Sequence, residues 1–203
     1  MSLINLQPAL EKAIKKFSEL DPLSMSERSR STYNQYQREF CLPFLGEEYV
    51  VKYPSGEILK QQGGEVSITE RVCIIHYLVN ASTMNVQGGH VAFRQLPSGD
   101  IYIGPFTNRT IRPLVSIFGK NPDKMVSAGE MLGGRVEKIG DYAVTIDVFP
   151  KIPITFVLWE GDEEFPPSGN VLFDTSAPAH LDTEDYAMLP GLAIFKMKKL
   201  AQI

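Results

Sequence analysis

Cys73 and His76 form the first pair of side chains that could do chemistry. They lie three residues apart in the apolar segment RVCIIHYLVNA, so on a helix they occupy neighbouring faces of one turn. A thiolate and an imidazole placed in this way could bind a metal ion or form a nucleophile–base pair, with further ligands or an orienting acid from elsewhere. The alternative is a core cysteine beside a histidine that bonds a backbone carbonyl, which is favoured because free cysteine is usually buried.

Residues 159–167, WEGDEEFPP, form a second candidate, which we call the acidic loop. Its carboxylates are Glu160, Asp162, Glu163 and Glu164, and Asp174 follows the next apolar run. Neighbouring carboxylates can hold a hard cation or raise the pKa of one of their number. The spacing matches no calcium-binding loop, and the prolines favour a solvated turn as the alternative. Because loops on a firm sheet often bind, we predict a binding surface formed by Trp159, Asp162, Glu163, Glu164 and Asp174.

The segment HLDTED, residues 180–185, superficially offers metal ligands. Capping and the helix dipole already account for its acids, because a helix starting at Asp182 or Thr183 favours acids in its first turn. If these two groups do bind a metal ion, the candidate ligands are Cys73 and His76 from the helix and His180 and Asp182 from this segment. The sequence identifies no cofactor.

Arg109 and Arg112, in NRTIRP, could bind a carboxylate or phosphate of a ligand. The competing interpretation is an internal salt bridge to the acidic loop. His90 follows two glycines and could be an exposed switch or a ligand, although such a residue is more often a plain loop residue. No Walker loop, GxGxxG, GxSxG or HExxH motif occurs, so no reaction is identified.

Helices should position several of these residues. An apolar spacing of four, four and three predicts an amphipathic N-terminal helix, formed by Leu6, Leu10, Ile14 and Phe17. It ends before Asp21-Pro22, which can cap a short helix through about Ser29. Ser67 and Glu70 form a capping box in front of RVCIIHYLVNA, which should be a buried helix.

Prolines delimit the later helices. Pro113 should open a short helix, because it disfavours a helical interior at Arg112, and Asn121-Pro122 should cap another. A C-terminal helix is predicted over residues 183–203, with acids in its first turn and lysines in its last. Pro190 should kink that helix.

Strands are predicted mainly in hairpins, over residues 48–60, 90–104 and 135–149. The first two turn on Pro-Ser-Gly and the third on Gly-Asp. An aromatic-rich strand precedes them over residues 33–44. Pro150 and Pro153 should lie at an edge or corner, since proline cannot donate to a central ladder. Residues 154–159 should form a strand buried on both faces.

These elements predict one α+β domain over residues 1–203, with a helical segment at 1–30 and a C-terminal helix from 183. The sheet should be largely antiparallel, built from hairpins and a meander, with N-terminal, central and C-terminal helices packed on it. The composition, 43% hydrophobic and 22% charged, is ordinary for a globular chain.

Charge and cysteine content narrow the classes of partner. The net charge is −4 with no basic stripe, so nucleic acid is not expected. No apolar run could span a bilayer and no secretory signal is present, so no membrane is expected. The two cysteines form neither a disulfide framework nor a metal box, which favours a cytoplasmic protein.

Three stretches resemble an uncharacterised prokaryotic family, domain-of-unknown-function family 3786: VFPKIPITFVLWEGDEEFPPSGNVLFDTSAPAHLDTED, RVCIIHYLVNA and HVAFRQLPSGDIYIGPF. The likeness runs from Asp21 to about Leu189. It implies a source among anaerobic bacteria and archaea, where some relatives accompany iron–sulfur or corrinoid proteins. The family has no established activity, so no residue role is carried over. The two separated cysteines depart from relatives that append a Cys-rich cluster segment.

We therefore expect a non-enzymatic accessory protein that binds a small molecule or a protein partner in anaerobic metabolism. The rival expectation is a metal-dependent hydrolase or lyase that uses carboxylates of residues 160–164 with His76 or His180. A third is a subunit that oligomerises through an apolar edge at residues 150–153.

Overall fold

The computed structural model describes residues 5–203 and contains two antiparallel sheets with helices before, between and after them, which is the predicted α+β class. Residues 1–4 of the predicted helical segment 1–30 lie outside the described residues. The helices are α1 (Gln7–Glu19), α2 (Pro22–Ser29), α3 (Ile68–Asn80), α4 (Gly99–Phe106), α5 (Arg112–Phe118), α6 (Pro122–Met131), α7 (Thr183–Tyr186) and α8 (Leu189–Leu200). The strands are β1 (Thr32–Asn34), β2 (Glu39–Phe44), β3 (Glu47–Lys52), β4 (Ile58–Lys60), β5 (His90–Ala92), β6 (Arg135–Val136), β7 (Tyr142–Phe149), β8 (Ile152–Trp159) and β9 (Ser168–Asp174).

The helices α2 and α3 begin where their capping residues predict. The Asp21 carboxylate accepts a hydrogen bond from the Ser24 N–H at 2.8 Å, and this bond lowers the pKa of Asp21. At α3 the Ser67 hydroxyl accepts from the Glu70 N–H at 3.3 Å, and the Glu70 carboxylate accepts from the Ser67 N–H at 2.7 Å. The predicted capping box is therefore confirmed.

The first sheet is a meander in which β1 to β4 pair in chain order. The single strand predicted over residues 33–44 is wrong, because a turn separates β1 from β2. The Asn34 side chain stabilises that turn by accepting hydrogen bonds from the N–H groups of Tyr36 and Gln37 at 3.0 and 3.1 Å. The Pro-Ser-Gly hairpin between β3 and β4 is confirmed, and Gly56 takes a φ of +69° there.

The second sheet has the order β5-β9-β8-β7-β6, so β8 is its central strand. Residues 154–158 are buried on both faces, as predicted, but the prediction is wrong for Trp159, which is 38% exposed because the chain leaves the sheet there. The prediction that Pro150 and Pro153 lie at an edge or corner is wrong, because they bracket the turn between two interior strands. The sheet accommodates Pro153 because the ladder with β9 begins only at Ile154. Residues 151–153 are buried, so this segment offers no open edge.

The third predicted hairpin forms with a longer connection than its Gly-Asp signal predicts. Only Arg135 and Val136 pair with β7, and residues 137–141 fold back over the sheet. Gly140 takes a φ of +63°, and a Cβ there would lie 2.6 Å from the Val157 side chain. The loop therefore covers part of the sheet face opposite the core.

The hairpin predicted over residues 90–104 is wrong. His90–Ala92 forms β5, residues 93–95 form one 3-10 turn, and Gly99 begins α4. Tertiary packing overrides the strand propensity of this segment, since Phe106 stacks on Phe93 with ring centroids 4.0 Å apart. Gly99 permits this approach, because a Cβ there would lie 2.1 Å from the Phe93 carbonyl oxygen.

The helix predicted to open at Pro113 instead continues from α4 through a π-helical turn, Thr107–Ile111, into α5. The Arg112 N–H bonds the Thr107 carbonyl five residues back, so the turn inserts one extra residue just before Pro113. Pro113, which has no N–H to donate, directly follows this turn as the second residue of α5.

The prediction of a single kinked C-terminal helix is also wrong. Residues 183–186 form α7, and a separate helix, α8, begins at Leu189 with Pro190 in its first turn. Gly191 lets α8 approach the π-helical turn, because a Cβ there would lie 3.0 Å from the Arg109 carbonyl oxygen.

Buried side chains form one continuous cluster that joins the two sheets and the helices. Phe149 of the second sheet stacks on Phe44 of the first sheet at 4.6 Å and on Tyr77 of α3 at 4.2 Å between ring centroids. Within residues 5–203, none of the helices has the length and apolarity needed to cross a membrane. The single-domain assignment stays a prediction.

Candidate functional site

The acidic loop connects β8 to β9, two neighbouring interior strands of the second sheet. Within it the Asp162 carboxylate accepts hydrogen bonds from the N–H groups of Phe165 and Glu164 at 2.7 and 2.8 Å. These bonds lower the pKa of Asp162 below its ordinary value. The Asp162 N–H in turn donates to the Phe165 carbonyl at 2.9 Å. Asp162 therefore orders the predicted turn.

Close packing fixes the loop further. A Cβ at Gly161 would lie 2.7 Å from Pro167 and 2.8 Å from the Phe165 carbonyl oxygen, so only glycine fits. Pro167 lies against the end of α5, with its Cγ 3.2 Å from where a Cβ at Gly119 would stand. The Glu160 N–H donates to the Asp141 carboxylate at 2.9 Å. The loop is thus held at both ends and across its middle.

The exposed side of the loop combines aromatic and acidic groups. Trp159 is 38% exposed and Phe165 is 66% exposed. The exposed carboxylates of the loop make no ion pair with any cationic group of residues 5–203. Asp123 and Asp141 extend the acidic surface, and the charges of Asp123 and Glu160 raise the pKa of the neighbouring Tyr142 hydroxyl.

Asp174 does not join this surface. It ends β9, whereas the acidic loop precedes the start of β9 at Ser168. Six residue steps of strand separate the two ends by about 20 Å. Although burial would raise the pKa of Asp174, hydrogen bonds from the Gln87, Gly88 and Ser176 N–H groups, at 2.9, 2.6 and 2.8 Å, hold it below its ordinary value. Asp174 therefore anchors the chain before β5 to the end of β9.

Arg109 and Arg112 are exposed on the helical segment 99–118. Neither forms an ion pair in the described part of the chain, so the salt bridge to the acidic loop is absent. Binding of an anionic ligand by these arginines stays a prediction.

The structure brings His76 to one acid of the 180–185 segment. His76 Nδ1 lies 2.8 Å from Asp185 Oδ1, and the side chains are 25% and 2% exposed. Burial alone would lower the pKa of His76, but the hydrogen bond and charge of Asp185 outweigh it and raise the pKa. Burial also raises the pKa of Asp185. Asp185 is thus the orienting acid that His76 would need for acid–base work, and Nε2 has no hydrogen-bond partner within residues 5–203.

A cleft of about 330 Å³ lies between α4 and α7, and neither His76 nor Asp185 lines it. Asp182 and Glu184 line it, and the Tyr102 hydroxyl donates a hydrogen bond to the Glu184 carboxylate. Asp182 is the N-cap residue of α7, but its side chain accepts no capping hydrogen bond. The capping interpretation of the Asp182 carboxylate is therefore wrong.

The other predicted metal ligands have different partners. His180 is buried, and its Nδ1 accepts a hydrogen bond from the Ser82 N–H at 3.3 Å. Burial and the charge of Lys151 lower the pKa of His180 to about 4. Burial raises the pKa of the Cys73 thiol well above its ordinary value. Among residues 5–203 no three His, Cys, Asp or Glu side chains are grouped to hold a metal ion, and the metal assignment stays a prediction.

One residue of the acidic loop and one long-range contact were absent from the sequence-based predictions. Phe165 could have been found, because a lone aromatic between acids and prolines is an unusual loop residue. The pairing of Asp185 with His76 could not, because 109 residues separate them and no local pattern links them.

Fold and site together define an α+β protein that carries a rigid, acidic and aromatic surface loop. Residues 21–196 match the model of the family described as a domain of unknown function, DUF3786. The protein therefore belongs to this family, as the resemblance implied. Neither a curated protein nor a solved structure matches the chain.

Proposed function

We propose that this protein is an accessory protein that docks a basic surface of a partner protein through its acidic loop. The observation that carries the proposal is the exposure of Trp159 and Phe165 beside carboxylates that have no cationic partner within residues 5–203. Buried aromatic anchors supply much of the energy of protein interfaces. Acidic groups around such anchors select basic partners and accelerate their association.

The rigidity of the loop supports a binding role. Ordering a flexible loop on binding costs free energy that reduces affinity. Here the Asp162 turn and the packing of Gly161 on Pro167 hold the loop in one conformation before any partner binds. Only the side chains at the loop surface would then lose freedom in a complex.

A protein partner is better supported than a small molecule. Small-molecule sites are usually concave and enclose their ligand. No acidic-loop residue lines the cleft of about 330 Å³ or a second cleft of about 520 Å³ between β3, β4 and α8. An exposed, charged loop with exposed aromatic side chains instead matches a macromolecular interface.

We place this function in the cytoplasm of an anaerobic prokaryote. The two cysteines are both free, which is typical of a reducing compartment. The anaerobic setting comes from what the family resemblance implies. The alternative, a metal-dependent hydrolase or lyase, has less support, because Asp162 already orders its loop and His76 and His180 have protein partners elsewhere.

The proposal is tested by affinity capture from a lysate of the source organism, followed by titration of each captured protein in purified form. The test variant combines Glu163→Gln, Glu164→Gln and Phe165→Ser. The control, Glu19→Gln with Glu65→Gln, neutralises two exposed carboxylates distant in sequence from the loop. We expect at least one protein to bind the wild type and the control but to lose about 30-fold or more in affinity for the test variant. If every captured protein binds all three equally, the acidic loop is not the docking surface.

A further inference from the structure

A chain of hydrogen bonds crosses the second sheet on the face opposite its hydrophobic core. The Thr145 hydroxyl donates to the Glu137 carboxylate at 3.0 Å. The hydroxyl oxygens of Thr145 and Thr155 are 2.7 Å apart, and the Thr155 oxygen is 3.3 Å from His90 Nε2. Both threonines are 2% exposed, whereas His90 is exposed. The chain therefore links an accessible imidazole to a carboxylate through two buried hydroxyls.

The direction of this chain follows from counting protons. A threonine hydroxyl carries one proton, and a carboxylate can only accept. Because Thr145 gives its proton to Glu137, Thr155 must donate to Thr145. Thr155 then has only lone pairs left for His90, so Nε2 must carry a proton and donate. In neutral His90 the lone pair consequently lies on Nδ1, as in a histidine oriented to act as a base.

All four residues line one cleft of about 220 Å³. Arg135 in its wall already pairs with Glu137 at 3.4 Å and with Asp147 at 3.2 Å. Asp174, also in the wall, is saturated by backbone N–H donors. Because these charges are compensated within the chain, the cleft favours a small, uncharged, polar molecule.

A structural role alone does not account for the arrangement. Cross-strand threonine pairs stabilise a sheet by roughly 0.2–1 kcal/mol and need no histidine. Thr155 is the single polar side chain in the strand sequence IPITFVLW, and it occurs where it meets Thr145 and His90.

We propose that His90 is the general base of a proton-transfer site that acts on a small uncharged molecule bearing an O–H or N–H. His90 Nδ1 takes that proton, so the molecule becomes an anion and His90 becomes an imidazolium. The Nε2 proton stays on His90 and keeps its hydrogen bond to Thr155, and the chain through Thr155 and Thr145 to the Glu137 carboxylate orients the ring and stabilises its positive charge. Thr145, Thr155 and Glu137 are positioning residues. The site is independent of the acidic loop.

The first test is the tautomer of His90, measured by nitrogen-15 NMR of the full chain at a pH where the ring is neutral. We expect the Nε2–H form in the wild type and in Thr145→Ser. In Thr145→Val, Thr155 loses its acceptor and can donate to Nε2, so His90 should shift toward the Nδ1–H form. His76, whose Nδ1 bonds Asp185, is the control in the same spectra and should not change. An Nδ1–H form in the wild type, or an unchanged tautomer in a folded Thr145→Val variant, would overturn the proposal.

The second test uses water as the O–H donor and 4-nitrophenyl acetate as an uncharged probe. His90 should remove a proton from water while the resulting hydroxide attacks the carbonyl carbon and 4-nitrophenolate leaves. We expect hydrolysis to fall about 10-fold or more in His90→Gln and in Thr145→Val, whereas Thr145→Ser, which restores the hydroxyl, should recover to within about twofold of the wild type. The control, Glu19→Gln with Glu65→Gln, should hydrolyse the ester as the wild type does. Hydrolysis by the wild type no faster than by His90→Gln would refute the base assignment.

Discussion

His180 makes the stability of the protein depend on pH in a direction that can be calculated. The imidazole is 1% exposed, and burial together with the charge of Lys151 lowers its pKa from 6.5 to about 4. A histidine whose pKa is lowered on folding takes up its proton first in the unfolded state. Its contribution is therefore complete above pH 6.5 and is lost as the pH falls toward 4.

The size of the effect follows from the same two values. The pKa of His180 in the unfolded chain is 6.5, so pH 5 lies 1.5 units below it and the unfolded state is stabilised by taking up a proton. Folded His180 is still mainly neutral at that pH. At about 1.36 kcal/mol per unit, this removes about 2 kcal/mol from the free energy of unfolding between pH 7.5 and pH 5. That is a large share of the stability of a typical domain, about 5–15 kcal/mol.

The variant His180→Asn isolates the contribution of His180 to the pH dependence of the free energy of unfolding. An asparagine oxygen can accept the hydrogen bond from the Ser82 N–H that Nδ1 accepts in the wild type, and asparagine does not titrate. The assay is urea unfolding of both proteins at pH 7.5 and pH 5, followed by circular dichroism. The wild type should lose about 2 kcal/mol more than the variant. His76 has a raised pKa and so opposes the effect, but it is present in both proteins and cancels. Parallel losses in the two proteins would refute the reasoning.

Three further predictions concern single groups. Asp174→Asn should destabilise the protein by roughly 3 kcal/mol in urea unfolding, because an amide cannot accept all the N–H groups that the carboxylate accepts, and a loss below 1 kcal/mol would contradict this. Gly161→Ala should weaken partner binding and lower the free energy of unfolding by about 1–3 kcal/mol, because its Cβ would lie 2.7 Å from Pro167. An unchanged melting temperature and affinity would argue against a tightly packed loop. Neither cysteine should react with Ellman's reagent at pH 8 in the folded protein. Burial raises the pKa of Cys73, and burial together with the Glu48 hydrogen bond raises the pKa of Cys41 to about 11. Rapid release of one equivalent of the reagent's thiolate would contradict this.

Local sequence signals predicted correctly the elements that short-range hydrogen bonds determine. The capping box at Ser67 and the cap at Asp21 mark helix starts through hydrogen bonds within one turn, so the sequence contains all the information needed. The two Pro-Ser-Gly segments show where such signals fail. At residues 54–56 the glycine takes the positive φ that the turn requires. At residues 97–99 Ser98 takes it instead, with a φ of 59°, and Gly99 is kept small by its contact with Phe93.

Long-range contacts limited the prediction of sites more than that of the fold. The turn in the acidic loop was predicted correctly because it depends on Asp162 and its immediate neighbours. The tight packing of this loop could not be predicted, since it depends on contacts of Pro167 with Gly161 and with the end of α5. The separation of Asp174 from the loop could not be predicted either, since it depends on the length of β9. Likewise, His90 was noted without a partner, because Thr155 lies 65 residues away in sequence.

The most direct test of the docking proposal is the fluorescence of Trp159, the only tryptophan of the chain and a member of the proposed interface. The measurement is a titration of the wild type with a captured partner that lacks tryptophan or is made with fluorinated tryptophan, at low and high salt. We predict that Trp159 emission shifts to shorter wavelength as its exposed face is covered. Added salt should weaken the binding, and the combined Glu163, Glu164 and Phe165 variant should bind about 30-fold or more weakly. A partner that binds with unchanged Trp159 emission and equal affinity for wild type and variant would contradict the account.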